Sequence, residues 1–389
     1  MGFSRLVALL LCGLCEGLPV EVDRFFGRLA DSASFCRGVC ADTVRMARKK
    51  LAVSCFTDLN EALLATVAGI FAHGRWHGLR IVACDSTTLR LPLSCPTTRE
   101  TYGLHTAQAG DPYSLARASG LFAVASGLML RAVIGPSKVA ERDQLVELLG
   151  HLAADDLLVL DRGYPAYWLF ALLQQGQRHF CMRIETSWPA VQTFLRSGQS
   201  DAVVTMKPGN VHRAEFAARG VPLAPLRLRL VRVILPTGQI EVLVTSLLDQ
   251  AAYPVADFAA LYHSRWRIEE AFKLLKARIL VEHFSGETPL AIEQDFHAKI
   301  LTANLCALAA FDASQLLPVA KASTHTVNLT YTLKALRAVM PRMLLGLAQD
   351  AEFHQLIQLL ASNLHRKRPE RSHPRKPKIA KPRRYRAYK

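Results

Sequence analysis

The tightest constraint on the fold is the run DLLVLD at residues 156–161, whose Leu-Leu-Val-Leu centre is apolar without alternation and closes on Asp161. A short continuous apolar run of this kind suits a strand covered on both faces. The flanking sequence supplies the cover. Upstream, LRIVACDSTTLRLP from Leu79 reads as a strand followed by turn residues, and SGLFAVAS and GLMLRAVIG read as two more, broken near Gly127. ERDQLVELLGHL, from Glu141, is helical in its spacing, and AYWLFALLQQG and HFCMRI follow the central run as a helix and a strand. Three strands, helix, strand, helix, strand is an α/β order built around one sheet.

A chain of 389 residues, half of them hydrophobic, holds roughly two or three domains. Residues 1–75 read as a helical region in which Arg45, Arg48, Lys49 and Lys50 cluster, so it is a candidate DNA-binding surface or an ordinary basic helix face. Residues 76–184 form the first part of the α/β core. Residues 185–248 interrupt it as a β-rich insertion, in which RLRLVRVILPTGQIEVLVTSL is a hairpin about Pro236-Thr237-Gly238-Gln239. Residues 249–310 complete the core, starting with a long helix expected from about Pro254 to Phe284, and helices continue through 311–364.

Charge separates the last segment from the rest. Residues 365–389 carry twelve Lys and Arg against one acid, Glu370, which is +11 of the chain's formal +16. This proline-rich tail has no apolar period and reads as an extended arm for a polyanion, since each neutralised phosphate releases counterions. The nine cysteines are odd in number and scattered, which argues against a secreted disulfide framework. Cys12, Cys15, Cys36 and Cys40 have spacing compatible with zinc, but the first pair lies within LVALLLCGLCEGL, which reads as a buried helix. That apolar run is too short to span a bilayer and lacks a small-residue cleavage site. The expectation is a cytoplasmic, nucleoid-associated bacterial protein with no membrane partner.

Asp85 falls in the first core strand and Asp161 at the end of the fourth. Two carboxylates brought together by neighbouring strands repel unless a cation lies between them. Magnesium suits such a pair because it prefers oxygen ligands and lets phosphate supply part of its shell. A third carboxylate comes from LYHSRWRIEEAFKLLK. There Tyr262, Arg265, Glu269 and Lys276 are spaced by three, four and seven residues, along one face of a regular helix. Glu269 would ligate the ion, with Tyr262, Arg265 and Lys276 on DNA phosphates beside it. Arg162 is a further candidate DNA contact, and Glu141 and Asp143 are additional acids near the site in sequence.

Tyr262-x₂-Arg265-x₃-Glu269-x₆-Lys276 resembles the Tyr-Arg-Glu-Lys signature of DDE transposases of the fourth insertion-sequence family. VACDSTTLRLP resembles that family's first-Asp strand, and ERDQLVELLGHLAADDLLVLDRGYPAYWLFALL its second-Asp region. The resemblance runs from about residue 5 to 310. It implies a ribonuclease H-like, retroviral integrase-type core with a β insertion, flanked by helical N- and C-terminal regions. It implies Asp85, Asp161 and Glu269 as catalytic, metal-binding residues for two Mg²⁺ or Mn²⁺ ions. It also implies a homodimer that pairs transposon ends on double-stranded DNA, hydrolyses phosphodiesters and transfers strands to target DNA by cut-and-paste. In relatives an aromatic residue on the insertion stacks on an extruded base. Trp188 is the candidate here, although a core role suits it better. Ser86 stands where relatives often have Gly. The alternative is a catalytically idle DNA-binding protein derived from such an element.

Overall fold

The computed structural model describes residues 1–32, 34–105, 112–235 and 237–367. The chain divides into two compact units: residues 61–88 with 116–272, and residues 1–60 with 89–115 and 273–389. Most of the basic tail, residues 368–389, lies outside the described residues.

The first unit is organised by an eight-stranded sheet. Its strands are β1 (Arg80–Leu91), β2 (Ser114–Ala123), β3 (Leu128–Pro136), β4 (Asp156–Leu160), β5 (His179–Ile184), β6 (Asp201–Met206), β7 (Leu226–Ile234) and β8 (Ile240–Thr245), in the spatial order β3-β2-β1-β4-β5-β8-β7-β6. β2 and β3 pair antiparallel through a turn at Gly127, whose φ of 74° lies in the region that favours glycine. β1 and β4, and β4 and β5, pair parallel. The connections between these parallel strands carry the helices Glu141–Leu148 and Tyr167–Gln175. This is the ribonuclease H-like order expected from the sequence.

β4 explains why its sequence shows no alternation: both faces are buried. Leu158 and Leu160 join Val82, Cys84, Leu145, Leu148, Trp168 and Phe170 on one side. Leu157 and Val159 join Cys181, Phe258, Leu261 and Tyr262 on the other. Burying a side chain such as these is worth about 1.5–3 kcal/mol each, so helices on both faces are what make the run stable as a strand.

Residues 185–248 do not form a sheet of their own. β6, β7 and β8 pair antiparallel with one another, and β8 pairs antiparallel with β5, so they extend the core sheet beyond its fifth strand. Period-two alternation shows that a segment is a strand but not which edge it joins. Trp188 is half-buried and packs against Tyr167 and Phe170, as its core reading expected.

The expected long helix from Pro254 to Phe284 is instead segmented. A 3₁₀ turn at Val255–Asp257 leads into the helix Phe258–Ser264, then the helix Trp266–Leu274 and a π-helical turn at Leu275–Ile279. The run stops at Leu280 in the left-handed region (φ 58°). A π turn inserts a residue into the helical repeat, so side chains beyond it leave the face that a 3.6-residue period assigns them.

The second unit is helical. Its 27-residue helix Pro289–Gln315 begins at Thr288, whose side chain accepts a hydrogen bond from the Ala291 amide. The N-terminal helices Phe3–Leu11, Leu18–Leu29 and Ala41–Arg48 and the later helices Leu329–Leu344 and Asp350–Ser362 belong to the same unit. Cys12 is buried just after the first helix, whereas Cys36 and Cys40 are exposed. Of the clustered Arg45, Arg48, Lys49 and Lys50, Arg48 does not share a basic surface with the others. It is buried, paired with Asp295 at 2.7 Å, and donates to Gln294 Oε1 and the Ala291 carbonyl at the same distance. Neighbouring Arg45 pairs with Asp42. Among the described residues, no helix is long and apolar enough to cross a membrane.

Candidate active site

Strand register sets the first relationship in the site. Arg80 pairs with Asp156 and Ala83 with Val159 across the parallel strands β1 and β4. Two residues further on stand Asp85, within β1, and Asp161, the first residue after β4. Side chains alternate between faces, so Asp85 shares a face with Ala83 and Ile81, and Asp161 shares one with Leu157 and Val159. That is the face covered by Phe258, Leu261 and Tyr262. Strand geometry thus gives both acids the same face at matching positions.

The third carboxylate arrives through an arginine. Arg265 donates through Nη2 to Glu269 Oε1 at 3.1 Å, while its Nη1 stands 3.9 Å from Asp85 Oδ2. Its side chain is only 6 % exposed, against 18 % for Asp85 and 26 % for Glu269, so little water screens the three charges. Arg265 Nε is buried without a hydrogen-bond partner. Burial pushes the Asp85 carboxyl up to about 6; Asp161 and Glu269 push the same way, while the Ser86 amide and Arg265 oppose them.

The Asp161 turn is tight. Asp161 Oδ1 accepts from the Gly163 amide at 2.8 Å. A Cβ on Gly163 would stand 2.6 Å from Glu141 Oε1 and 3.1 Å from Asp161 Oδ1, so a larger residue here must push these side-chain ends aside. Arg162, between them, is exposed. Ser86 fills the position after Asp85: its amide donates to Asp85 Oδ1 at 2.8 Å and its hydroxyl to Glu141 Oε2 at 3.0 Å. Of the two acids near the site in sequence, only Glu141 faces it; Asp143 pairs with Arg219.

The other sequence candidates are more scattered. Tyr262 is 7 % exposed and packs in the apolar cluster, where burial pushes its phenol well above the usual range. Lys276 lies on the π turn and in the other compact unit. Sequence reasoning missed Arg117, whose Nη1 donates to Ser86 Oγ at 3.3 Å; nothing in the spacing of β2 marks it.

Carboxylate oxygens such as those of Asp85, Asp161 and Glu269 are hard donors of the kind magnesium or manganese takes. Arg265 holds the cationic position between two of them. Among the described residues, no three His, Cys, Asp or Glu side chains converge closely enough as they stand to hold a metal ion. This includes Cys12, Cys15, Cys36 and Cys40, which sequence spacing had made compatible with zinc.

A carboxylate site on this sheet defines a class, and comparison with known proteins gives it a family. The family described as "Transposase DDE domain" matches residues 76–305, and the chain belongs to it. Among curated proteins, the transposase InsG of insertion sequence element IS4 from Escherichia coli (strain K12) is 23 % identical over 239 residues, covering 60 % of this chain and 52 % of that protein. The putative transposase y4zB of Sinorhizobium fredii (strain NBRC 101917 / NGR234) is 23 % identical over 155 residues, covering 39 % and 42 %. The chain therefore spans about half the length of the relatives it matches. Among solved structures, a piggyBac transposase synaptic complex with hairpin DNA aligns with a TM-score of 0.41 at 9 % identity, over 72 % of this chain and 57 % of that one.

Proposed function

We propose that this protein is a DNA transposase of an insertion sequence, with Asp85, Asp161 and Glu269 as its metal-binding catalytic acids. The observation that carries the reading is that Asp85 and Asp161 each stand two residues beyond the last paired positions of the parallel strands β1 and β4, with Glu269 joined to Asp85 through Arg265. Family membership supports it independently.

Two Mg²⁺ or Mn²⁺ ions held by the acids would activate water against a phosphodiester and stabilise the leaving oxygen. The chain's own residues do the rest. Asp85 and Asp161 are fixed by the Ser86 and Gly163 amides, so their carboxylates are oriented before any ligand arrives. Arg265, carrying a buried Nε without a partner, is suited to a phosphate oxygen once its carboxylate partners turn to metal. Arg162, which is exposed, and with it Tyr262 and Lys276 are proposed as further DNA contacts. Cleavage frees a 3′-hydroxyl, which attacks target DNA in a cut-and-paste sequence carried out by a homodimer on two transposon ends, in the bacterial cytoplasm at the nucleoid.

The test is purified protein, its element's end DNA and Mg²⁺. Metal-dependent cleavage that disappears in Asp161→Ala and Glu269→Ala supports the assignment. Cleavage that persists in either variant rules it out. Specific end binding without cleavage by the wild type would favour an idle DNA-binding derivative.

A further inference from the structure

The start of the helix Glu141–Leu148 touches both Asp-bearing segments at once. Its first residue, Glu141, accepts from Ser86 Oγ at 3.0 Å through Oε2, while Oε1 lies against Gly163. Its second residue, Arg142, donates through Nε and Nη2 to the Gly163 carbonyl at 3.0 and 2.7 Å, and through Nη2 to the Pro165 carbonyl at 3.2 Å. Arg117 braces the first contact, with Nη1 at 3.3 Å from Ser86 Oγ and Nη2 at 3.3 Å from the Ser137 carbonyl. Ser86 and Gly163 are the residues whose amides hold the Asp85 and Asp161 carboxylates. One helix end therefore reaches each acid through a single intermediary, one within β1 and one on a turn far apart in sequence.

We infer that Glu141 and Arg142 are positioning residues, a clasp that fixes the spacing of Asp85 and Asp161 by holding Ser86 on one side and the Gly163–Pro165 backbone on the other. The inference rests on the two acids being metal ligands. Parallel pairing of β1 and β4 runs only to Ala83 and Val159. Beyond that point the two segments have no ladder bonds to keep them in step, and the helix end supplies the link. Glu141 acts here as a hydrogen-bond acceptor and not through its charge, so an amide can replace it.

Mn²⁺ affinity of the full chain, measured by electron paramagnetic resonance of free ion without DNA, tests this separately from activity. Glu141→Ala, Ser86→Ala and Arg142→Ala should each weaken binding about tenfold, the scale of lost support behind a metal ligand. The double variant Glu141→Ala with Ser86→Ala should be no weaker than either single, because both remove the same contact. Glu141→Gln should stay within about threefold of wild type, since its amide oxygen still accepts from Ser86. A merely structural role would lower melting temperature without producing this pattern. Loss in Glu141→Gln equal to that in Glu141→Ala overturns the inference, as does wild-type affinity in Ser86→Ala or Arg142→Ala, or additivity in the double variant. If Glu141→Ala fails to fold, Glu141→Gln against Ser86→Ala gives the same decision. Asp161→Ala separates the two levels: affinity unchanged there overturns the metal-site reading and the clasp with it. Affinity lost there but kept in Ser86→Ala overturns the clasp alone.

Discussion

Asp85 in β1 and Asp161 just after β4 each stand two residues beyond the last paired positions of these adjacent parallel strands, Ala83 and Val159. Two acids so placed repel each other, and the molecule answers with Arg265 on Asp85 and backbone amides on both.

Arg265→Gln removes the cation between Asp85 and Glu269. In EDTA the variant should lose about 2–4 kcal/mol of stability, near the range for breaking a mostly buried ion pair. Saturating Mg²⁺ should stabilise it more than it stabilises wild type, because the ion replaces the lost charge. Urea unfolding with and without Mg²⁺ measures both, and equal Mg²⁺ shifts in the two proteins would contradict the account.

Asp85, raised to about 6, gives a pH signature. A carboxyl whose folded value lies above its unfolded one, about 3.9, stabilises the fold fully below the unfolded value. That contribution is lost as pH rises through about 6. In EDTA at pH 7, Asp85→Asn should therefore be more stable than wild type by about 1–3 kcal/mol. The advantage should vanish by about pH 4. Thermal melts across this window check the sign.

The placement of Asp85 and Asp161 in one sheet was legible in the sequence, for a simple reason. An unbroken apolar strand ending in Asp161 and a β-branched strand carrying Asp85 leave few arrangements other than neighbouring positions in one sheet. The contact of Glu269 with Arg265 was legible from their four-residue spacing, which holds although Arg265 sits at the break between the helices Phe258–Ser264 and Trp266–Leu274. Lys276 was not, because the π turn at Leu275–Ile279 breaks the period used to place it. Arg48 looked like surface charge because arginine usually is; its partners Gln294 and Asp295 lie almost 250 residues away. The link from Glu141 to Ser86 is hidden for the same reason, and the edge joined by β8 is a tertiary choice that alternation does not encode.

Gly163→Ala tests the close approach at the Asp161 turn. The new Cβ meets Glu141 Oε1 at 2.6 Å and Asp161 Oδ1 at 3.1 Å. The end of the Glu141 side chain can move, so the fold should persist with a loss of about 1 kcal/mol. Asp161 is displaced with it, and DNA cleavage should fall at least about tenfold. Wild-type cleavage rates in this variant would contradict the geometry described.

Arg48→Ala should cost about 3–5 kcal/mol in urea unfolding, because Asp295 is left buried without its partner. Arg45→Ala, at an exposed pair, should change stability by less than about 1 kcal/mol.

Deleting residues 368–389 removes ten Lys and Arg and one acid. DNA affinity should weaken and the slope of log K against log salt should fall by several units, since each lost phosphate contact reduces it by about 0.9. Binding titrations at several salt concentrations measure it, and an unchanged slope would remove the tail from the DNA interface.

The most direct measurement of the central claim is anomalous scattering from a crystal of the full chain soaked in Mn²⁺. The account predicts a manganese peak in contact with both Asp85 and Asp161, abolished in Asp161→Ala. A peak elsewhere only, or none at saturating Mn²⁺ with both carboxylates ordered, would contradict it.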